Sequence, residues 1–294
     1  MHHILQYLPQ DKRNPRAWIG LAILLSYFLV YTILNVLSSS LVDLDEQAIL
    51  NQDPESLLIM QGVSQILIFI VLALLLTYLL LRYDVKLFFA RLSGTEVALT
   101  FLVSAGAIVV ISALGSWNME LDFGDGSFAA FSRKMEDQLK IVTEHITDFR
   151  STKHFLIALI AVAVIPAVSE ELLFRGLLQP LLSQVIRNHH VAIWLTGILF
   201  SAIHLQFYGF FPRMLLGVAF GYLYYWSGKL SLAMLAHFFN NAFALILLAM
   251  AQAEVIPLEV DDMNQSAPWP IVLVCTILVA FLLVRFKRLY PNEA

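Results

Sequence analysis

Eight apolar runs, each about long enough to cross a bilayer, leave this chain few ways to fold. A spanning helix needs ~20 apolar residues at a rise of ~1.5 Å each. Such runs lie near 17–39, 57–81, 95–116, 154–181, 191–207, 210–227, 230–251 and 269–286. They predict an all-α fold, a polytopic integral membrane helical bundle of about eight transmembrane helices. Composition agrees: 59% of the 294 residues are hydrophobic and 14% are charged, against about 25% charged in a soluble domain. Mean hydropathy is +0.76. The net charge of −4, with no basic tail or stripe, speaks against a nucleic-acid partner. The single cysteine, Cys275, has no intrachain partner and reads as a small apolar residue of the last run.

Charge placement orients the bundle. Lys12, Arg13 and Arg16 precede the first run, and Arg82, Lys86 and Arg91 separate the second from the third. Arg187, Lys229 and the group Arg285, Lys287 and Arg288 fall on the same side when both termini are cytoplasmic. The opposite loops are acidic: Asp43, Asp45, Glu46, Asp53 and Glu55 in 40–56, and Glu254, Glu259, Asp261 and Asp262 in 252–268. Arg213, near the outer start of the sixth run, is an outlier. The charged N-terminus runs into an apolar stretch with no small-x-small cleavage site, so the first run is expected to be retained. The expected location is a bacterial inner (cell) membrane.

Residues 1–153 then hold three spans and a long extracytoplasmic loop. Within that loop Phe128, Phe131, Met135, Leu139, Val142, Ile146 and Phe149 recur every three or four residues, which predicts an amphipathic helix. It would either cap the span ends or act as a substrate lid. Residues 154–251 form the candidate core, and 252–294 an acidic loop with a final span. Gly217 and Gly221 make a GxxxG that favours close helix contact.

Polar chemistry concentrates in that core. Glu170, Glu171 and Arg175 interrupt an apolar run, where each ionisable group costs ~2.5–3.5 kcal/mol to insert and usually serves a function. On a helix, residues four apart share a face and adjacent ones point ~100° apart. Glu171 therefore pairs with Arg175, while Glu170 points elsewhere, as suits a general base or acid. Two histidines sit deep in apolar runs: His204, in Phe200-Ser-Ala-Ile-His204, and His237, four residues before Asn241. Two readings stand side by side. In one, Glu170 and His204 deprotonate a water while His237 and Asn241 stabilise an oxyanion. In the other, Glu170, His204 and His237 hold a divalent metal such as zinc that polarises the water. A non-catalytic packing network and, more weakly, a proton-coupled transporter are the alternatives from other classes.

Depth is the one conflict. At ~1.5 Å per residue, Glu170 lies ~24 Å from the outer start of its span and His237 ~10 Å from the inner start of its own, which agree. His204 lies ~20 Å from its inner start, too far out by the same rise. Tilt, a helix broken near Pro166 or Pro180, or a membrane-dipping 182–190 segment would close the gap.

These motifs resemble the CPBP family of intramembrane proteases, which includes the Ras-converting CAAX endopeptidase and bacterial bacteriocin-processing and self-immunity proteins. The family pattern is EExxxR, FxxxH and HxxxN or HxxxD on successive membrane helices. Here it is matched in order by Glu170-Glu171-Leu-Leu-Phe-Arg175, Phe200-Ser-Ala-Ile-His204 and His237-Phe-Phe-Asn240-Asn241, within about 155–250. The resemblance implies peptide-bond hydrolysis in a membrane-associated peptide or protein substrate. It makes Glu170 and His204 the water-activating pair and His237 and Asn241 the oxyanion pair. Glu171, Arg175 and Phe200 become supporting residues, and metal dependence stays open. Rival intramembrane proteases lack their motifs. HExxH and GxGD are absent, Gly124-Asp125-Gly126 having the wrong order. GxSG is absent because Tyr225-Trp226 precedes Ser227-Gly228.

Overall fold

A computed structural model describes residues 15–41, 46–78, 90–256 and 266–291. Lys12, Arg13, Asp43, Asp45, Arg82, Lys86, Glu259, Asp261 and Asp262, used above for orientation, lie outside the described residues.

The protein is a polytopic helical membrane bundle, with no strand among the described residues. In chain order the helices are α1 (Pro15–Leu41), α2 (Glu46–Leu50), α3 (Pro54–Leu76), α4 (Gly94–Met119) and α5 (Ser127–Ile146). There follow α6 (Thr152–Ile186), α7 (His189–Ala202), α8 (Phe210–Ser227), α9 (Leu230–Gln252) and α10 (Trp269–Lys287). Six of them, α1, α3, α4, α6, α9 and α10, are long and apolar enough to cross a membrane. The expected fifth and sixth spans are shorter helices: α7 has 14 residues and α8 has 18.

Local chemistry sets the helix ends. Asp53 caps α3 by accepting from Ser56 N at 2.9 Å. Ser93 and Glu96 close a capping box on α4. The tight turn between α6 and α7 is Arg187, left-handed at φ 59°, and Asn188, whose side chain accepts from Val191 N at 3.1 Å. Gly228 ends α8 at φ 65°, a conformation that suits a residue without Cβ.

α6 is the centre of the bundle. Some 56% of its apolar window is enclosed by protein, against 11% for α10, whose Val274 and Phe281 face outward as lipid-facing groups do. Leu172, Leu173, Phe174, Leu177, Leu178 and Leu181 of α6 pack with Phe28, Phe200, Phe220 and Tyr224 in the main core. Pro166 and Pro180 do not break α6. Each lies two residues past a π-helical stretch, Leu159–Val164 and Phe174–Leu178. The wider turns absorb the proline's missing N–H and its ring, so the helix continues in a new register. The 182–190 segment is not a membrane dip either: it is the end of α6, the two-residue turn and the start of α7.

Small residues bring α7 and α8 together on this core. A Cβ at Gly217 would lie 3.1 Å from Gly197 Cα, and one at Gly197 would lie 3.0 Å from Met214 O. Without Cβ on either side, backbones touch and the carbonyls of α8 come within reach of α6. Arg175 Nη2 donates to Gly217 O at 2.7 Å, and Gln179 Nε2 to Gly221 O at 3.2 Å.

The amphipathic loop helix is present as α5, with its predicted apolar stripe partly buried. Its start packs on the segment after α7, with Phe128 and Phe131 against Phe207. Its end is tied by His145 Nε2 donating to Gln52 O at 2.9 Å, His154 Nε2 to Ile146 O at 3.0 Å and Gln252 Nε2 to Thr147 O at 2.9 Å. α5 thus lies across the ends of α3, α6 and α9.

Candidate active site

Glu170 and Glu171 sit between the two π-helical stretches of α6, a placement common for functional groups. The predicted pair forms: Arg175 Nη1 donates to Glu171 Oε1 at 2.7 Å, both side chains fully buried. The guanidinium also lies 4.7 Å from the centre of the Phe200 ring, a cation–π contact. Phe200 therefore roofs the ion pair, which gives the aromatic of the FxxxH segment a physical task.

Glu171 does more than orient a helix. His237 Nδ1, on α9, lies 2.9 Å from the same Oε1 that accepts from Arg175. A carboxylate only accepts, so the proton sits on Nδ1 and Nε2 is directed away from Glu171. Nε2 is 3.9 Å from Glu170 Oε2, longer than a direct hydrogen bond and short enough for a water to bridge. The His237 ring stacks on Phe220 with centroids 5.2 Å apart, which holds it upright.

Glu170 has a partner that motif reading missed. Gln65, the last residue before the π-helical stretch of α3, donates from Nε2 to Glu170 Oε1 at 3.5 Å. Gln65 Oε1 is buried without a hydrogen-bond partner among the described residues. Gly62, one turn earlier, allows the approach: a Cβ there would lie 2.9 Å from Ile165 Cδ1. The signal in the sequence was a polar side chain inside an apolar run.

His204 is not on a span. α7 stops at Ala202, and His204 follows in a turn where Leu205 is left-handed at φ 55°. No glycine ends the helix; side chains of other elements do. Asn118, fully buried at the end of α4, donates to Phe207 O at 3.0 Å and accepts from Phe211 N at 2.8 Å. Ser201 Oγ donates to Phe210 O at 2.7 Å. This also removes the conflict of depth. Glu170 lies 16 residues before the end of α6 and His204 15 residues after the start of α7, so both stand roughly 22–24 Å above the turn that joins the two helices.

His204 Nδ1 donates to Phe200 O at 2.7 Å, which leaves a lone pair on Nε2. Its ring packs on Phe200, 5.3 Å between centroids, and Phe200 in turn lies 5.9 Å from His237. Among the described residues no hydrogen bond joins His204 to Glu170. Asn241 Nδ2 donates to Val162 O at 2.9 Å, in the first π-helical stretch, and its Oδ1 accepts from Asn240 Nδ2 at 3.2 Å. The structure thus joins Glu170, Glu171, Arg175, His237 and Phe200 directly. His204 adjoins them across the Phe200 ring, and Asn241 adjoins them through the backbone of α6.

The donors do not suit a metal. Among the described residues no three His, Cys, Asp or Glu side chains are grouped to hold an ion, so Glu170, His204 and His237 do not form the expected ligand set.

Two buried carboxylates of α6, a buried imidazole of α9 and a second imidazole in the turn after α7 thus gather in the membrane bundle. Residues 152–243 match the model of a family described as Type II CAAX prenyl endopeptidase Rce1-like. The match spans every motif residue from Glu170 to Asn241 and excludes Gln65 and Asn118. The chain is also 29% identical over 105 residues to an uncharacterized protein, YpbD, of Bacillus subtilis (strain 168). That likeness covers 34% of this chain and 49% of YpbD, so the chain spans about half the length of the curated relative it matches. No solved structure matches the chain.

Proposed function

We propose that the protein is an intramembrane endopeptidase that hydrolyses a peptide bond of a membrane-associated peptide or protein. The observation that carries this reading is the Glu171–His237–Glu170 line. One carboxylate fixes the imidazole at 2.9 Å, and the opposite nitrogen faces the second carboxylate across 3.9 Å, room for one water.

Glu170 takes a proton from that water as its oxygen attacks the scissile carbonyl carbon. His204 Nε2, with its lone pair free, accepts the water's other hydrogen. Gln65 steadies the far oxygen of Glu170. The oxyanion meets His237 Nε2, which donates when the ring is protonated; the Glu171 carboxylate, 2.9 Å from Nδ1, offsets that added charge. Asn241 has two N–H groups and only one goes to Val162 O, so the second is open to the same oxyanion. As the C–N bond breaks, Glu170 returns its proton to the leaving amine. The basic residues between spans and the acidic outer loops support a bacterial inner-membrane location with both termini cytoplasmic.

The test compares membrane fractions of wild-type and Glu170→Ala cells by peptide-level proteomics. The expected result is at least one fragment made only by the wild type, with both proteins present at equal level. Identical fragment sets, or cleavage by the purified alanine variant, would sink the assignment.

A further inference from the structure

Arg213 stood out in the sequence as a cation on the wrong side, and the structure sets it at the edge of the site. It lies on the first turn of α8, nine residues past His204. Its Nη2 donates to Gln206 Oε1. Its Nη1 is buried with no hydrogen-bond partner among the described residues. The guanidinium rests on Gly209, where a Cβ would lie 3.1 Å from Nη2, so a larger residue would displace it. It lies within electrostatic range of Glu170, His204 and Glu136 of α5. Glu136 Oε2 is likewise buried and unpartnered. A buried arginine donor left unsatisfied next to the turn that holds His204 is poorly explained by packing alone, since an unmade hydrogen bond to a charged group is costly in an apolar interior.

We infer that Arg213 is a substrate subsite: its free Nη1 receives a carboxylate of the peptide close to the scissile bond. The inference rests on the proteolytic reading and adds a specificity to it. Arginine matches a carboxylate by charge and by its fork of donors. The carboxylate comes either from an Asp or Glu side chain or from the free C-terminus of the substrate. On entry it lies against the buried, unpartnered Nη1 of Arg213.

The experiment uses the full-length protein in detergent and a tryptic peptide library in two forms, untreated and with every carboxyl methyl-esterified. Wild type should cut the untreated library at least ~10-fold faster, the worth of a charged hydrogen bond. Arg213→Met should erase that difference. Arg213→Lys, which keeps charge without the fork, should reduce it by at least ~3-fold, and carries the test should the methionine variant fail to fold. A synthetic copy of a cut peptide with an amidated C-terminus then separates the sources. Loss of preference assigns the terminal carboxylate, and retained preference assigns a side chain. Wild type indifferent to esterification, or an arginine variant with wild-type preference, overturns the inference while Glu170→Ala remains inactive. No cutting above the Glu170→Ala background overturns the proteolytic reading and this subsite together.

Discussion

Arg175→Met tests the buried cluster most directly. The side chain is fully buried, bonded to Glu171 at 2.7 Å and to Gly217 O at 2.7 Å, and stacked on Phe200 at 4.7 Å. Methionine fills much of the space and leaves Glu171 as a buried carboxylate with only His237 beside it. Breaking a buried pair from one side costs about 3–5 kcal/mol, because the remaining charge is uncompensated. Glu171→Gln should cost about the same, by stranding Arg175. The double variant has no stranded charge, so its loss should fall short of the sum by about 1–3 kcal/mol. The assay is reversible unfolding in mixed micelles with rising SDS, read from tryptophan fluorescence for wild type, both single variants and the double. A loss under ~1 kcal/mol for Arg175→Met, or strictly additive losses, would refute the claim that Arg175 and Glu171 form one electrostatic unit.

Glu136→Gln should remove a pH dependence of stability. Burial pushes the Glu136 carboxyl above its ordinary value of 4.5, despite the opposing pull of Arg213. A raised folded-state value means stability is full below about 4.5 and lost as pH rises through the higher value. The glutamine variant should thus show a flatter profile of thermal stability above pH 4.5 than wild type, and an unchanged slope would count against this placement. Gly217→Ala should destabilise by about 1–3 kcal/mol, because its Cβ meets Gly197 Cα and Phe200 Cδ1 at 3.1 Å and Arg175 Nη2 at 3.2 Å. Gly115→Ala, with nothing within 4 Å, is the control and should be neutral or gain up to ~1 kcal/mol; equal melting points for the two would contradict the close packing of α7 and α8.

What the sequence disclosed and what it hid divide by range. The apolar runs, the amphipathic α5 and the Glu171–Arg175 pair were legible because each depends on neighbours within a few turns. The Gly217 and Gly221 pair was legible as a contact face, though not as the means by which Arg175 and Gln179 reach α8. Helix α7 was expected to continue to 207 because residues 203–207 carry no glycine or proline; its end is set instead by Asn118, 89 residues upstream of Phe207. Pro166 and Pro180 were a correct signal of irregularity, but a π-helical turn and a break look alike in one dimension. His237 as a partner of Glu171, 66 residues away, had no local mark at all. Gln65 and Arg213 were visible only as polar residues in apolar company, a property shared by groups that merely snorkel or cap.

The positions of Gln65 and Asn118 bear on what the first half of the chain contributes. The family-matched stretch begins at 152 and contains both carboxylates and both imidazoles. Yet Glu170 Oε1 takes its hydrogen bond from α3, and the turn holding His204 is clamped from α4. In an apolar interior a carboxylate or carbonyl oxygen without a donor, or an N–H without an acceptor, carries a penalty of about 1–3 kcal/mol. Residues 152–243 alone would leave three such groups open at the very place where geometry matters to within fractions of an ångström. The preceding helices therefore act as the outer wall of the site, each presenting a side-chain amide at one of these two points. Residues before 152 carry none of the three motifs, yet they complete the hydrogen bonding around Glu170 and the turn of His204.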